Sequence, residues 1–290
     1  MFEGFQEHRI EVDGNAIHCQ VGGNGPPVLL LHGFPQTHAM WSKIASDLVR
    51  DYTVVCADLR GYGASDKPRG VENYSFRAMG DDQVGVMAAL GFDRFHVVGH
   101  DRGGRVAHRM AFDHRDCILS LTVMDIIPTY LLLNELNTPV ARAYYHWFFL
   151  AQPEPFPEDM ILENPNRYYE SCLLGWGASK LQDFDPNQMA AYRQAWSDPE
   201  CVRAMCDDYR AAIDFDVAID AADLDQKVLC PSLVLYGADG AMAKAYDVGA
   251  TWRDRLATYE VEAVTGGHFF VDQSPQETIG ALRAFLTRLG

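Results

Sequence analysis

The sequence predicts an α/β protein, a mostly parallel sheet flanked by helices with a helical cap inserted into it. Three observations carry that expectation. In the N-terminal half, short apolar runs alternate with helix-compatible stretches, the pattern of strands joined by helical crossovers. From about Pro128 to Asp225 strand signals vanish, and aromatics, prolines and helical periodicities replace them. After Lys227 the strand-like runs resume.

Taken in order, Arg9 to Val12 and Ala16 to Val21 read as a hairpin around Asp13-Gly14-Asn15. Val28 to Leu31 is wholly apolar between Pro26-Pro27 and Gly33, as a strand covered on both faces requires. Thr53 to Ala57, Phe95 to Val98, Leu121 to Asp125, Ser232 to Tyr236 and Thr258 to Val264 repeat the theme. Helical stretches at Met40 to Arg50, Phe76 to Leu90 and Gly104 to Phe112 lie between the earlier strands. The economical division is a core of residues 1–128 and 226–290 and a helical cap of residues 129–225.

The 290-residue chain is long enough to bury a full core, and its 48% hydrophobic and 22% charged content is ordinary for a globular protein. The first residues lack the basic start and apolar middle of a secretory signal, and no apolar run reaches the roughly 20 residues of a membrane helix. A cytoplasmic address is expected. Seven scattered cysteines, of which only Cys201 and Cys206 lie close together, predict free thiols rather than a disulfide framework or a zinc site. The net charge of −16 repels nucleic acid and anionic membrane surfaces. An anionic substrate would therefore need fixed cations inside its pocket.

The central motif is Gly99-His100-Asp101-Arg102-Gly103-Gly104, which follows an apolar run and opens a helix-compatible stretch. Strand, sharp turn and helix are the context of the nucleophile elbow, with glycines two residues either side of the nucleophile to clear the crossing backbone. Asp101 stands where a serine is common. A carboxylate that displaces a leaving group from saturated carbon becomes an alkyl ester, which water can open at the ester carbonyl. A serine would form an ether that the same apparatus could not open. The chemistry indicated is alkyl halide or epoxide opening rather than esterase, lipase or peptidase work. The oxyanion donors fall at the backbone N–H groups of Arg102 and of Phe34, in Leu31-His32-Gly33-Phe34-Pro35.

His268, in Thr265-Gly266-Gly267-His268-Phe269-Phe270, follows the last strand and holds the place of the general base. An orienting carboxylate must fix its tautomer. Asp125 and Asp239 both end strands, and chain order allows either. Arg102 and Arg105 lie three residues apart on the first turn of one helix, so both guanidinium groups share a face beside the helix N-terminus. Such forks suit a planar carboxylate. The plainer alternative is that they pair with Asp101 or with cap acids.

These motifs closely resemble those of the fluoroacetate dehalogenases, a haloacid-cleaving branch of the α/β-hydrolase fold. The resemblance runs end to end through His32-Gly33-Phe34-Pro35-Gln36, His100-Asp101-Arg102-Gly103-Gly104-Arg105 and Met124-Asp125-Ile126-Ile127-Pro128-Thr129. It continues through Tyr145-His146-Trp147-Phe148-Phe149-Leu150-Ala151-Gln152-Pro153 and Asp207-Asp208-Tyr209-Arg210-Ala211-Ala212. It implies Asp101 as nucleophile, His268 as base and Asp125 rather than Asp239 as orienting acid. It further implies Arg102 and Arg105 as carboxylate binders, His146, Trp147 and Tyr209 as the halide pocket, Phe34 at the oxyanion position and Trp176 on the cap side of the cavity. A small anionic haloacid is the implied substrate and a homodimer the implied assembly.

The halide assignment makes independent chemical sense, because fluoride leaves poorly and an imidazole, an indole and a phenol supply three hydrogen-bond donors. His146 and Trp147 are adjacent, so both facing one pocket requires a helix start or an irregular turn there. No metal or organic cofactor is implied. The competing readings are an epoxide hydrolase with the same aspartate and a non-catalytic binding protein on the same fold. Epoxide hydrolases commonly carry tryptophan after the nucleophile, and a neutral epoxide has no use for paired arginines.

Overall fold

The computed structural model describes residues 1–175 and 179–289. Eight strands form one sheet: β1 (Gln6–Val12), β2 (Asn15–Gly22), β3 (Pro27–Leu31), β4 (Thr53–Ala57), β5 (Phe95–His100), β6 (Ile118–Met124), β7 (Ser232–Gly237) and β8 (Tyr259–Val264). Their order is β1-β2-β4-β3-β5-β6-β7-β8. The β1–β2 hairpin pairs antiparallel onto β4, and every contact from β4 to β8 is parallel. All of β4 and β5 is buried, as expected of strands covered on both faces by crossover helices.

Helices α1 (Ser42–Leu48), α2 (Phe76–Ala89) and α3 (Arg102–Asp113) make the first crossovers. α3 starts two residues before the expected Gly104, because the turn at Asp101 feeds straight into the helix with Asp101 as its N-cap. Between β6 and β7 come α4 (Thr129–Asn134), α5 (Thr138–Ala143), α6 (Tyr145–Leu150), α7 (Phe156–Leu162), α8 (Pro165–Gly175), α9 (Pro186–Trp196), α10 (Pro199–Ala211) and α11 (Val217–Ala222). A π-helical turn, Ala212–Asp216, joins the last two. The described residues of this stretch contain no strand. α12 (Ala241–Ala245), α13 (Val248–Thr251), α14 (Phe270–Gln273) and α15 (Pro275–Thr287) follow. No helix among the described residues is long and apolar enough to cross a membrane.

The helices after β6 are tied to the loops at the carboxyl ends of the strands by buried polar bonds. Trp196 Nε1 donates to the Pro35 carbonyl at 2.7 Å, and Gln188 Nε2 donates to the Ala39 carbonyl at 3.1 Å. Gln36 Nε2 donates to Tyr192 at 3.1 Å and to Asp272 at 2.9 Å. Burial pushes the Asp272 carboxyl up to about 7, against which the Gln36 bond works. All seven cysteines are free.

Candidate active site

The parallel strands deliver their chemistry at their carboxyl ends, where an open α/β sheet leaves its crevice. Asp101 follows β5 directly, with φ of 49° and ψ of −117°, a conformation that L-residues rarely adopt. Neighbouring glycines make the turn feasible. A Cβ on Gly33 would overlap the Asp101 side chain, and one on Gly103 would overlap the carbonyls of Leu31 and His32. The strand ends can close on one another only because both positions lack a side chain.

The elbow turns the Asp101 carboxylate into a dry site, 3% exposed. Oδ1 accepts the Phe34 backbone N–H at 2.9 Å. Oδ2 lies 3.7 Å from Nε2 of His268. Burial alone would raise the Asp101 carboxyl; the facing His268, His100, Arg105 and Arg102 outweigh it and hold the group below the usual carboxylate value. The carboxylate is thus ionised and fixed, with one oxygen on a backbone donor.

His268 is held from two sides. Its Nδ1 bonds Asp125 Oδ2 at 2.7 Å, while the other Asp125 oxygen accepts the Gly237 backbone N–H at 2.9 Å. The His100 ring takes the His268 carbonyl at 2.8 Å through Nε2. Burial would lower the His268 imidazole; the Asp125 hydrogen bond and the charges of Asp125 and Asp101 overcome it and raise the group above its ordinary 6.5. Asp125 also carries a positive φ, 50°, at the end of β6. Asp239, the other carboxylate that chain order allowed, is exposed.

Arg102 and Arg105 lie on the first turn of α3, both fully or almost fully buried. Their guanidinium carbons sit 4.9 and 4.8 Å from the centroid of the same Trp147 ring. They are not equivalent. Arg102 Nε donates to Asp208 Oδ2 at 2.9 Å, and its Nη2 bonds both the Asp208 carbonyl at 2.7 Å and Oδ1. One part of the plainer alternative therefore holds, since Arg102 does pair with an acid of the inserted helices. Arg105 instead donates from Nη1 to the Ile127 carbonyl at 3.1 Å and to Thr129 Oγ1 at 3.0 Å. Nη1 of Arg102, and Nε and Nη2 of Arg105, are buried with no hydrogen-bond partner among the described residues.

Above the elbow, α6 begins at Tyr145, and this helix start lets the neighbours His146 and Trp147 turn to one place. Tyr209 of α10 meets both, edge-on to the His146 ring at 5.6 Å and to the Trp147 ring at 5.3 Å. Phe34 stacks on His146 at 6.1 Å and meets Tyr209 edge-on at 5.2 Å. The Trp147 Nε1–H and the Tyr209 hydroxyl are buried without a partner among the described residues. Burial lowers the His146 imidazole to about 3, so the ring is neutral and carries a single N–H. Trp176, expected on this side of the cavity, lies outside the described residues.

Four residues that the sequence reading did not single out complete the arrangement. Asp208 and Thr129 anchor the arginines, Tyr62 donates to Asp208 at 2.6 Å, and His100 steadies the His268 loop. The need of Asp208 for a cation or several donors follows from its burial in α10, which the sequence alone does not show. Away from the elbow, His18 and His38 place ring nitrogens 3.0 and 2.9 Å from the Asp58 carboxylate, with ligand-type atoms within 4.8 Å of one another. Asp58 also accepts the backbone N–H groups of His38 and Ala64, so this cluster is a hydrogen-bonded hub joining the loops that follow β3 and β4.

Comparison with known proteins identifies the family. The alpha/beta hydrolase fold family matches residues 26–275. A fluoroacetate dehalogenase from a Burkholderia species is 52% identical over 99% of this chain and 95% of its own length. A soluble epoxide hydrolase from a Corynebacterium strain is 29% identical over 97% of both chains. The crystal structure of ALR0039 from Nostoc sp PCC 7120, an alpha/beta hydrolase by assignment, superposes with a TM-score of 0.97 at 45% identity and covers 99% of each chain. The chain belongs to the α/β-hydrolase fold family, in the group that includes the Burkholderia fluoroacetate dehalogenase.

Proposed function

We propose that this protein is a hydrolytic dehalogenase that cleaves the carbon–halogen bond of small 2-haloacids, converting fluoroacetate to glycolate and fluoride. One observation carries the reading. An ionised elbow aspartate feels the charge of two buried guanidinium groups, and the N–H groups of these that have no partner among the described residues suit an anion best. A substrate carboxylate supplies that anion, and the carbon next to it then comes to rest before Asp101.

In this reading Asp101 Oδ2 attacks the halogen-bearing carbon from behind, and the carbon–halogen bond breaks as the new carbon–oxygen bond forms. The leaving halide collects donors from Trp147 Nε1, the Tyr209 hydroxyl and the neutral His146 imidazole. Oδ1, already on the Phe34 N–H, becomes the ester carbonyl oxygen. His268 takes a proton from water, whose oxygen bonds to the Asp101 carboxyl carbon. Phe34 and the α3 N-terminus stabilise the oxyanion. The intermediate collapses with loss of glycolate, which leaves with the original Oδ2 and a proton from His268. Asp125 fixes the base and stabilises its cation.

The proposal includes residues 129–225 as a cap over a core of residues 1–128 and 226–290. It also includes a cytoplasmic homodimer. An epoxide hydrolase is disfavoured by Arg102 and Arg105, whose donors without a partner among the described residues have no role with a neutral epoxide. A halide-release panel of fluoro-, chloro- and bromoacetate, with a neutral haloalkane and an epoxide beside them, tests the reading. Release from the haloacetates is expected, with loss of all turnover in Asp101→Asn. Turnover confined to the epoxide, or persisting in the variant, would overturn it.

A further inference from the structure

The two pocket arginines differ in what compensates them. Arg102 is fully buried and has given three of its five N–H groups to Asp208, through Nε and Nη2. The Asp208 carboxylate is itself fully buried, and the Tyr62 hydroxyl donates to it at 2.6 Å from the other side. Aromatic rings of Phe76, Trp147 and Tyr209 lie 4.6, 4.9 and 4.3 Å from the Arg102 guanidinium carbon and pack around it. Only Nη1 remains to be shared. Arg105 meets a backbone carbonyl and a threonine hydroxyl instead, with no carboxylate bonded to it among the described residues.

This asymmetry answers a chemical difficulty. Two uncompensated cations beside a nucleophilic carboxylate would bind it and blunt its attack. The Asp101 carboxylate already feels the charge of both guanidinium groups, and in a dry pocket an Arg102 without its own carboxylate partner would be drawn toward it. We propose that Asp208 is a positioning residue that holds Arg102 off the nucleophile and aims its Nη1 at the carboxylate of the substrate. Tyr62 holds Asp208 in turn. Arg105 then supplies the net positive charge that draws the acid, while Arg102 supplies a fixed donor. The inference rests on the haloacid reading above.

The test uses acetate and acetamide, which cannot be dehalogenated, as competitors of fluoroacetate turnover in the full-length protein. In Asp208→Asn the acetate inhibition constant should rise by about 10-fold or more, because Arg102 is released to Asp101. Acetamide inhibition should stay within about twofold, since the amide draws little on either charge. A partial folding defect lowers the amount of active enzyme without changing either inhibition constant. If Asp208 merely dilutes the positive charge of the pocket, its removal tightens acetate, and that result overturns the proposal. Equal weakening of both competitors, or unchanged acetate inhibition, also overturns it. Tyr62→Phe removes one bond to Asp208 and leaves the charge, so it covers the case in which Asp208→Asn does not fold. Its acetate constant should rise roughly threefold, and no rise overturns the proposal. A wild-type protein that releases no fluoride and binds no acetate would refute the haloacid reading itself.

Discussion

The carboxyl ends of the strands and the helices that follow β6 contribute to the site by different physical means. At the strand ends the backbone does the placing. Asp101 and Asp125 sit at positive φ, and glycines without a Cβ let the turns interlock. In the helices the placing is done by side chains packed on side chains. Tyr209 meets His146 and Trp147 edge-on, and a buried carboxylate on α10 grips an arginine of α3. In the proposed mechanism the strand-end group makes and breaks the bonds to carbon, and the helical group meets the charges that appear. Changes at the strand ends should therefore stop turnover, whereas changes in the helices should alter which leaving group and which anion are accepted.

The largest effect belongs to the strand ends. Asp125→Asn should lower kcat by roughly 10³- to 10⁴-fold, since the base loses both its tautomer control and its compensating charge. The same change carries a signature in pH. His268 must be neutral to accept a proton from water, and Asp125 helps to raise it above its ordinary 6.5. In the wild type, hydrolysis of the ester should fall as pH drops through that raised value. With Asp101 esterified and uncharged, Asp125 is the main carboxylate raising His268, so in Asp125→Asn the acid limb should move to lower pH. A pH profile of kcat checks this. An unmoved limb would detach Asp125 from the base.

A smaller effect should come from the helical side. Trp147→Phe keeps most of the packing and the ring beneath the arginines but removes the indole N–H. Fluoroacetate turnover should fall by roughly 10- to 100-fold, an amount typical for loss of one donor to a developing charge. Bromoacetate should suffer much less, because bromide leaves without such help. Initial rates of halide release on both substrates give the ratio. Equal losses on the two would mean that Trp147 serves packing and the arginines, not the leaving group.

The same contrast explains what was legible in the amino-acid sequence. A strained turn demands glycines at fixed offsets, so the elbow at Asp101 could be read from Gly99 and Gly103, and His268 from its place after the last strand. The alternation of strands and helices was equally plain, and the boundaries moved by only a few residues. Chain order could not choose between Asp125 and Asp239, because both end strands. Only the fold shows one bonded to His268 and the other facing solvent. The helical contributions were harder still. A tryptophan or tyrosine on an apolar helix face looks the same whether it fills the core or offers a donor. Without the family resemblance, His146, Trp147 and Tyr209 would have passed as packing. Asp208 went unassigned even within a motif that was recognised, because its partner Arg102 is 106 residues away in the chain.

The covalent route through Asp101 is tested most directly by one turnover of fluoroacetate with enzyme in excess in heavy-oxygen water. Attack by the carboxylate predicts glycolate whose new oxygen is unlabelled and a peptide around Asp101 that has gained one heavy oxygen. Heavy oxygen in that first glycolate, with none in the peptide, would mean that water itself attacks the carbon and that Asp101 is not the nucleophile.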